Sequence, residues 1–272
     1  MSAHNPRVRR LARMARRSDE RAAQQAVVVE GPVLLGAALA GGAGVTEVFV
    51  DERSVQGDAS AVAEVLDRLG SDVEVWSLPA GTLDRVGDAV TSQGIVGVVV
   101  RTDPAWPTPA NAPFVLVLDG VADPGNVGTL VRAAAAVGGG CVVVAGGADP
   151  TAPKVVRASA GAVFALDVLL VPSALTAVEN LLAAGYRVLA STVAGGRSHH
   201  LVDVREPVAI VVGNEARGVS AEVLEAASAR VTIEMAGPME SLNAAMAGTV
   251  LCFEVARRRG QDDQAAQGQV ED

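Results

Sequence analysis

Apolar and polar positions alternate along the chain in two blocks. Between residues 27 and 100, β-type runs (VVVE, VTEVFVD, DVEVWSL, IVGVVV) are separated by helix-type runs (VLLGAALAGG, SAVAEVLDRLG, AGTLDRVGDAV). This alternation predicts a small α/β domain. Before it, within residues 5–25, Val8, Leu11 and Met14 have the spacing of one helix face.

The second block begins after a proline-rich stretch. Residues 101–113, RTDPAWPTPANAP, carry four prolines and no periodicity, so they predict an interdomain linker. Beyond it, nearly unbroken apolar strands alternate with helices, which predicts a parallel sheet covered on both faces. The predicted strands are FVLVLD, CVVVAG, LDVLLVP, YRVLAST and VAIVVG, and the predicted helices are 127–137, 153–163, 173–184, 220–227 and 241–258.

Composition narrows the class of protein. The chain has 272 residues, half of them apolar but only 3% aromatic, so its core is built from Val, Leu and Ala. It lacks an apolar run of about 20 residues and a secretory leader, so we expect a cytoplasmic protein with no membrane partner. Cys141 and Cys252 lie in apolar surroundings, which favours reduced core thiols. His4, His199 and His200 lack metal-ligand spacing, so we expect no metal.

Charge is unevenly distributed. The net charge of −9 speaks against nucleic-acid binding, but residues 1–21 hold seven arginines against two acidic residues, a local balance of +5. A basic arm on an acidic body is typical of contact with a polyanion, but composition alone favours a solvated tail, which stays open as the alternative. The polar, acidic residues 261–272 predict a disordered tail.

Ligands of parallel sheets bind at the carboxyl ends of strands, which directs attention to the loops after Leu118, Ala190 and Val212. The first loop, in LDGVADPGNVGTLVRAAAAVG, opens a helix on which Arg132 leans back over Gly128. A helix N-terminus with an arginine beside a glycine suits a phosphate. An Asn-capped helix with a surface arginine is the alternative.

Two further loops contain glycine and polar residues. VVGNEARGVS, residues 211–220, ends a strand in glycines that let a ligand contact the backbone, but it lacks the dinucleotide spacing. VTIEMAGPMESLNAAMAGTVLCFEVARR, residues 231–258, leads through a Gly-Pro turn into a slim helix that another backbone can approach closely. The apolar stripe of that helix consists of Leu242, Met246, Val250 and Phe253.

In this order and spacing, the three loops resemble the SpoU (TrmH-like) branch of the SPOUT RNA methyltransferases. The first family motif is matched by Asn126, Gly128, Thr129 and Arg132. The second is matched by Gly213, Glu215 and Gly218. The third is matched by Ile233, Met235, Ser241, Leu242 and Asn243. The chain departs from the family at Glu234, where proline is usual, and at Ala244, where valine is common.

The resemblance implies a fold and a division of the chain. The fold class is α/β, with a C-terminal parallel-sheet trefoil-knot domain and a smaller N-terminal α/β RNA-binding domain. The implied ranges are a basic helical leader at 1–25, a ribosomal-protein-like substrate-binding domain at 26–100, the linker at 101–113, the methyltransferase domain at 114–260 and the acidic tail at 261–272.

The resemblance also implies a reaction. It is the transfer of a methyl group from S-adenosylmethionine to a ribose 2′-hydroxyl, without a metal, by a homodimer acting on RNA and not DNA. Ribosomal RNA, 23S rRNA in particular, is favoured over tRNA. The implied cofactor-binding residues are Thr192, Gly213, Ile233, Met235 and Leu242. The implied catalytic residues are Arg132, Asn126, Glu215, Ser241 and Asn243, and the implied RNA-binding residues are Arg7, Arg9, Arg10 and again Arg132.

Two other classes stay open at this point. One is a non-catalytic RNA-binding or ribosome-assembly protein that retains the fold. The other is a nucleotide-binding α/β enzyme of another kind, which the absence of a GxxxxGK[ST] phosphate loop disfavours.

Overall fold

The computed structural model describes residues 5–55, 61–86, 92–204 and 207–268. It forms an N-terminal unit, within Met1–Asp103 and Asp149–Ala165, and a C-terminal unit, within Pro104–Ala148 and Leu166–Asp272. The first boundary falls inside the predicted linker, and residues 101–113 contain neither helix nor strand. No helix in the described ranges combines the length and the apolar character that a bilayer span requires.

The N-terminal unit is built on a four-stranded mixed sheet. Its strands are β1 (Ala26–Glu30), β2 (Val45–Asp51), β3 (Glu74–Leu78) and β4 (Ile95–Val100). Its helices are α1 (Pro6–Arg16), α2 (Ser18–Ala23), α3 (Pro32–Ala40), α4 (Ala61–Leu66) and, from the later segment, α6 (Pro153–Ala158). The strand order is β1-β4-β2-β3, with β2 and β3 parallel and the other neighbours antiparallel. The four predicted strands are confirmed.

The arginine-rich leader is part of this folded unit. Val8, Leu11 and Met14 are buried in one core cluster with Phe49 of β2, which confirms the predicted helical face. The leader is two helices rather than one, because the backbone of Arg17 is extended between α1 and α2. The solvated-tail alternative is therefore wrong for the helical residues of this segment.

The C-terminal unit is a seven-stranded sheet in which every neighbouring pair is parallel. Its strands are β5 (Phe114–Asp119), β6 (Cys141–Ala145), β7 (Asp167–Val171), β8 (Arg187–Ser191), β9 (Arg197–Ser198), β10 (Val208–Gly213) and β11 (Ala229–Thr232). Its helices are α5 (Pro124–Ala136), α7 (Ala174–Ala183), α8 (Ala221–Ala226) and α9 (Ala244–Gly268). The order β7-β6-β5-β10-β8-β11-β9 confirms the predicted parallel α/β sheet.

Three predicted segments differ in the structure. The predicted helix at 80–90 is a 3-10 turn over Leu83–Arg85, and residues 87–91 lie outside the described residues. The predicted helix at 153–163 ends at Ala158, because Ala160 and Gly161 adopt positive φ angles of 52° and 85°. The tail is helical to Gly268 rather than disordered from residue 261, and residues 269–272 lie outside the described residues.

The segment Asp149–Ala165 packs with the N-terminal unit, although it follows β6 of the other sheet. Val156 of α6 is buried in the same core cluster as Leu35 and Val62. The buried Arg21 pairs with Asp149 and donates 3.0 Å to Thr151 Oγ1. The compact unit therefore includes a segment that the predicted ranges place in the methyltransferase domain.

Candidate functional site

Three loops meet at the carboxyl edge of the C-terminal sheet. β10 lies between β5 and β8, with Gly213 opposite Asp119 and Val211 opposite Ala190. The loops after these strands are therefore adjacent, as their strand-end positions predict.

A cavity of about 410 Å³ opens between the loops after β8, β10 and β11 and the start of α9. All five residues predicted to bind the cofactor line it: Thr192, Gly213, Ile233, Met235 and Leu242. Glu215 and Ser241, predicted to be catalytic, line it as well. Its volume falls within the roughly 300–1,000 Å³ of small-molecule sites, and its lining combines apolar side chains with glycine backbone.

Glu215 joins the second loop to the first. Its Oε2 accepts a hydrogen bond from Ala122 N at 3.0 Å, and its Oε1 accepts from Asp123 N at 3.1 Å and from Asn126 Nδ2 at 2.8 Å. Burial opposes ionisation, but these hydrogen bonds outweigh it and lower the pKa of Glu215 to about 2. A carboxylate with so low a pKa is a poor general base, and its hydrogen bonds tie the second loop to the first.

Asn126 connects this carboxylate to the third loop. Because Asn126 Nδ2 donates to Glu215, its Oδ1 is left to accept 3.2 Å from Asn243 Nδ2. Asn243 Oδ1 in turn accepts from the amides of Ala245, at 2.8 Å, and Met246, at 3.3 Å, and caps α9. The structure thus brings three predicted catalytic residues into one network.

The N-cap of α5 is Asp123, not Asn126. Asp123 Oδ1 accepts from Asn126 N at 2.9 Å, and Pro124 takes the first helical position. The alternative of an Asn-capped helix is therefore wrong in its capping residue, because the capping position lies three residues earlier. As a result, the Asn126 side chain is available to the site.

Arg132 is exposed on α5, and its side chain makes no hydrogen bond or ion pair with any part of the chain that the structure describes. Gly128, one turn earlier, is buried. An exposed guanidinium without a partner among the described residues remains free to bind an anion, so the predicted phosphate contact stays a prediction.

Sequence reasoning missed Asn214, which shapes the second loop. Its Nδ2 donates 2.8 Å to Gly120 O, and its Oδ1 accepts from the amides of Ala216, at 3.0 Å, and Arg217, at 3.2 Å. Gly218 closes the turn with φ +70°, a conformation that favours glycine. Asparagine favours turns because its side chain can bond nearby backbone amides. The position of Asn214, directly after the glycine that ends β10, could therefore have predicted its role in this turn.

The two residues that depart from the family pattern lie in the third loop and at the start of α9. Glu234 is exposed and lies outside the cavity lining, whereas Ala244 is part of the lining. Two other lining residues, Arg217 and Glu240, were not predicted. In the described ranges, no cluster of three or more His, Cys, Asp or Glu side chains could hold a metal ion.

α9 packs its small residues, not its predicted apolar stripe, against α5. A Cβ on Gly248 would lie 2.3 Å from Leu130 Cδ2, so the close approach requires glycine there. Of the predicted stripe, Leu242 lines the cavity, but Met246, Val250 and Phe253 are 58%, 36% and 53% exposed. These three residues form an outward apolar face, which we call the α9 apolar face.

The predicted RNA-binding arginines belong to the N-terminal unit. Arg7 bonds Glu74 at 3.0 Å and lies 4.4 Å from the centre of the Trp76 ring, and Arg10 pairs with Glu47. Arg9 is exposed and makes no side-chain bond among the described residues. Two of the three predicted RNA-binding arginines, Arg7 and Arg10, therefore already contact other residues of the N-terminal unit.

Comparison with known proteins identifies the family. The model of the SpoU rRNA Methylase family matches residues 113–253, and that of the MRM3-like substrate binding domain matches residues 5–97. The chain belongs to the SpoU rRNA methylase family. It is therefore an RNA methyltransferase, and the resemblance seen in the sequence is confirmed.

Relatives cover nearly the whole of this SpoU chain. A Synechocystis protein described as an uncharacterized tRNA/rRNA methyltransferase is 32% identical over 95% of this chain and 93% of its own length. The Bacillus subtilis 23S rRNA (guanosine(2553)-2′-O)-methyltransferase RlmP is 31% identical over 86% of this chain and 90% of its own. The crystal structure of the SpoU methyltransferase AviRb from Streptomyces viridochromogenes, in complex with AdoMet, superposes with a TM-score of 0.83 at 28% identity, covering 94% of this chain and 98% of that one.

Proposed function

We propose that this SpoU methylase transfers a methyl group from S-adenosylmethionine to a ribose 2′-hydroxyl of 23S rRNA. The observation that carries the proposal is the cavity beside the Asn126–Glu215–Asn243 network. The 2′-O-methylation of 23S rRNA named for RlmP and the AdoMet complex of AviRb support the same reaction and cofactor. A ribose 2′-hydroxyl also makes RNA, and not DNA, the substrate.

The cavity fits this cofactor. Apolar side chains such as Ile233 and Leu242 suit the faces of an adenine, and Gly213 contributes main chain without a side chain to the cavity wall. Thr192 and Met235 complete the cofactor assignment. When bound, S-adenosylmethionine supplies an electrophilic methyl group on a sulfonium sulfur.

Residues of the chain align the ribose 2′-hydroxyl and stabilise the negative charge that develops on its oxygen. Asn126, held by Glu215 and Asn243, orients the first loop and the ribose. A guanidinium is a poor base, so Arg132 binds a substrate phosphate and stabilises the developing oxyanion rather than removing the proton. The proton leaves to the phosphate or to water, and Ser241 completes the pocket wall.

The α9 apolar face supports a homodimer. Met246, Val250 and Phe253 lie on one side of a helix whose other side packs on α5. Exposed large apolar side chains at this spacing are typical of helix–helix interfaces. We propose that a second copy of the chain covers them.

The N-terminal unit supplies RNA affinity in this proposal. Arg9 is free to contact a phosphate without breaking an ion pair. Arg7 would first have to break its ion pair with Glu74, and Arg10 its ion pair with Glu47. We place the reaction in the cytoplasm, where ribosomal RNA is available.

The test is transfer of labelled methyl groups to rRNA and tRNA transcripts, followed by mapping of 2′-O-methylation. Arg132→Ala is expected to lose at least about 100-fold in single-turnover rate while it retains cofactor binding. Near-normal turnover of this variant would refute the role of Arg132. Methylation of tRNA alone would establish a tRNA 2′-O-methyltransferase instead, and no calorimetric binding of S-adenosylmethionine would favour a non-catalytic RNA-binding protein.

A further inference from the structure

The cavity has three charged side chains in its lining: Glu215, Arg217 and Glu240. Glu215 is committed to the first loop through its three hydrogen bonds. Arg217 and Glu240 are exposed, and neither side chain makes a hydrogen bond or an ion pair with the described residues, including each other. Apart from the committed Glu215, the charged groups of the lining are thus one cation and one anion, and both lack partners among the described residues.

S-adenosylmethionine carries a carboxylate and an ammonium group at one end, and this pair matches the two uncommitted charges. We propose that Arg217 binds the carboxylate and Glu240 binds the ammonium group of the cofactor's amino-acid end. This inference rests on the proposed function, because it assumes that the cofactor occupies this cavity. It adds two binding residues that the family motifs do not include.

Local structure supports both assignments. The Arg217 backbone is anchored where its amide donates to Asn214 Oδ1, which reduces the freedom lost when its side chain binds a ligand. The guanidinium has the planar fork that matches a carboxylate. Glu240 directly precedes Ser241 and Leu242, and all three residues line the cavity.

Three thioether ligands separate the two contacts by calorimetry. S-adenosylhomocysteine has both charged groups, its decarboxylated analogue keeps only the ammonium group, and 5′-methylthioadenosine has neither. Arg217→Ala is expected to weaken S-adenosylhomocysteine about 5- to 20-fold and to leave the other two ligands unchanged. Glu240→Gln is expected to weaken the first two ligands by a similar factor and to leave 5′-methylthioadenosine unchanged.

Two matched variants test whether removing a charge elsewhere on the same unit changes ligand affinity. Arg197→Ala and Glu225→Gln change exposed residues of the same unit that do not line the cavity, so they are expected to bind all three ligands as the wild type does. Arg217→Lys is expected to regain part of the lost affinity, since it restores the charge without the fork.

The remaining outcomes overturn one statement or the other. Equal weakening of all three ligands by Arg217→Ala refutes the inference and makes Arg217 a support of the loop. Unchanged affinities in both variants also refute it. If the wild-type protein binds S-adenosylhomocysteine and 5′-methylthioadenosine equally, the inference fails while the proposed function stands. If it binds no adenosine ligand, the proposed function fails first.

Discussion

Replacing Glu215 by glutamine tests whether one carboxylate holds the first two loops together. Glutamine offers one acceptor oxygen where glutamate offers two, so the bonds from Asp123 N and Asn126 Nδ2 can remain. The amide nitrogen then faces the N–H of Ala122, which donates to Oε2 in the wild type. The variant thus loses one charge-assisted bond and gains a donor–donor contact.

The magnitude follows from the pKa. Lowering the pKa of Glu215 from 4.5 to about 2 corresponds to at most about 3 kcal/mol at pH 7. Because Glu215 is exposed, solvent screening reduces this to about 1–2 kcal/mol. Since the pKa is lower in the folded state, the stabilisation is complete above about pH 4.5 and disappears as the pH falls towards 2.

Urea unfolding at pH 7, 5, 4 and 3 measures the difference between wild type and Glu215→Gln. We expect a gap of about 1–2 kcal/mol at pH 7 that narrows below pH 4.5, and faster hydrogen exchange at the Ala122 amide. Glu225→Gln, which alters an exposed glutamate outside the network, is the control. A gap that is absent at pH 7, or that does not change with pH, would refute the reasoning.

Three further outcomes are expected. Burial raises the pKa of both Cys141 and Cys252 to about 12, so neither thiol should react with a disulfide reagent at pH 8 until urea unfolds the chain; rapid reaction of the native protein would contradict their burial. Phe253→Asp places a charge on the α9 apolar face and should convert dimers to monomers in sedimentation velocity, and an unchanged sedimentation coefficient would argue against that interface. Arg21→Met leaves the Asp149 carboxylate without its partner and should lower the free energy of unfolding by about 2–3 kcal/mol in urea titrations, with partial recovery on adding Asp149→Asn.

Much of the fold was predictable because its strands are strongly apolar. The runs ending in Asp119 and Gly213 have bulky aliphatic residues at nearly every position, so they indicated buried parallel strands and, through their ends, the location of the site. The strand Arg197–Ser198 was missed because two polar residues carry no periodicity. The helix beyond residue 260 was missed because its polar composition favours disorder and helix alike.

The sequence motifs indicated which residues to examine at the site, but not which of them contact one another. Asn126, Glu215 and Asn243 lie far apart in the sequence, and only the strand order brings them together. The motifs contain no information on which donor meets which acceptor, so the bidentate use of Glu215 had to be observed. Arg217 and Glu240 escaped notice because a charged loop residue is ordinarily solvated.

The placement of α6 affects the order in which the chain can fold during synthesis. Val156 completes the core cluster that contains Leu35 and Val62. The buried Arg21 gains its ion pair and its hydrogen bond only when Asp149 and Thr151 have been made. The N-terminal unit therefore cannot close its core when its own sheet has left the ribosome, because the missing piece is made only after β5 and β6. A fragment that stops at the linker would expose this incomplete core, so the N-terminal unit can complete its core only once residues 149–165 have been made, still ahead of β7 to β11.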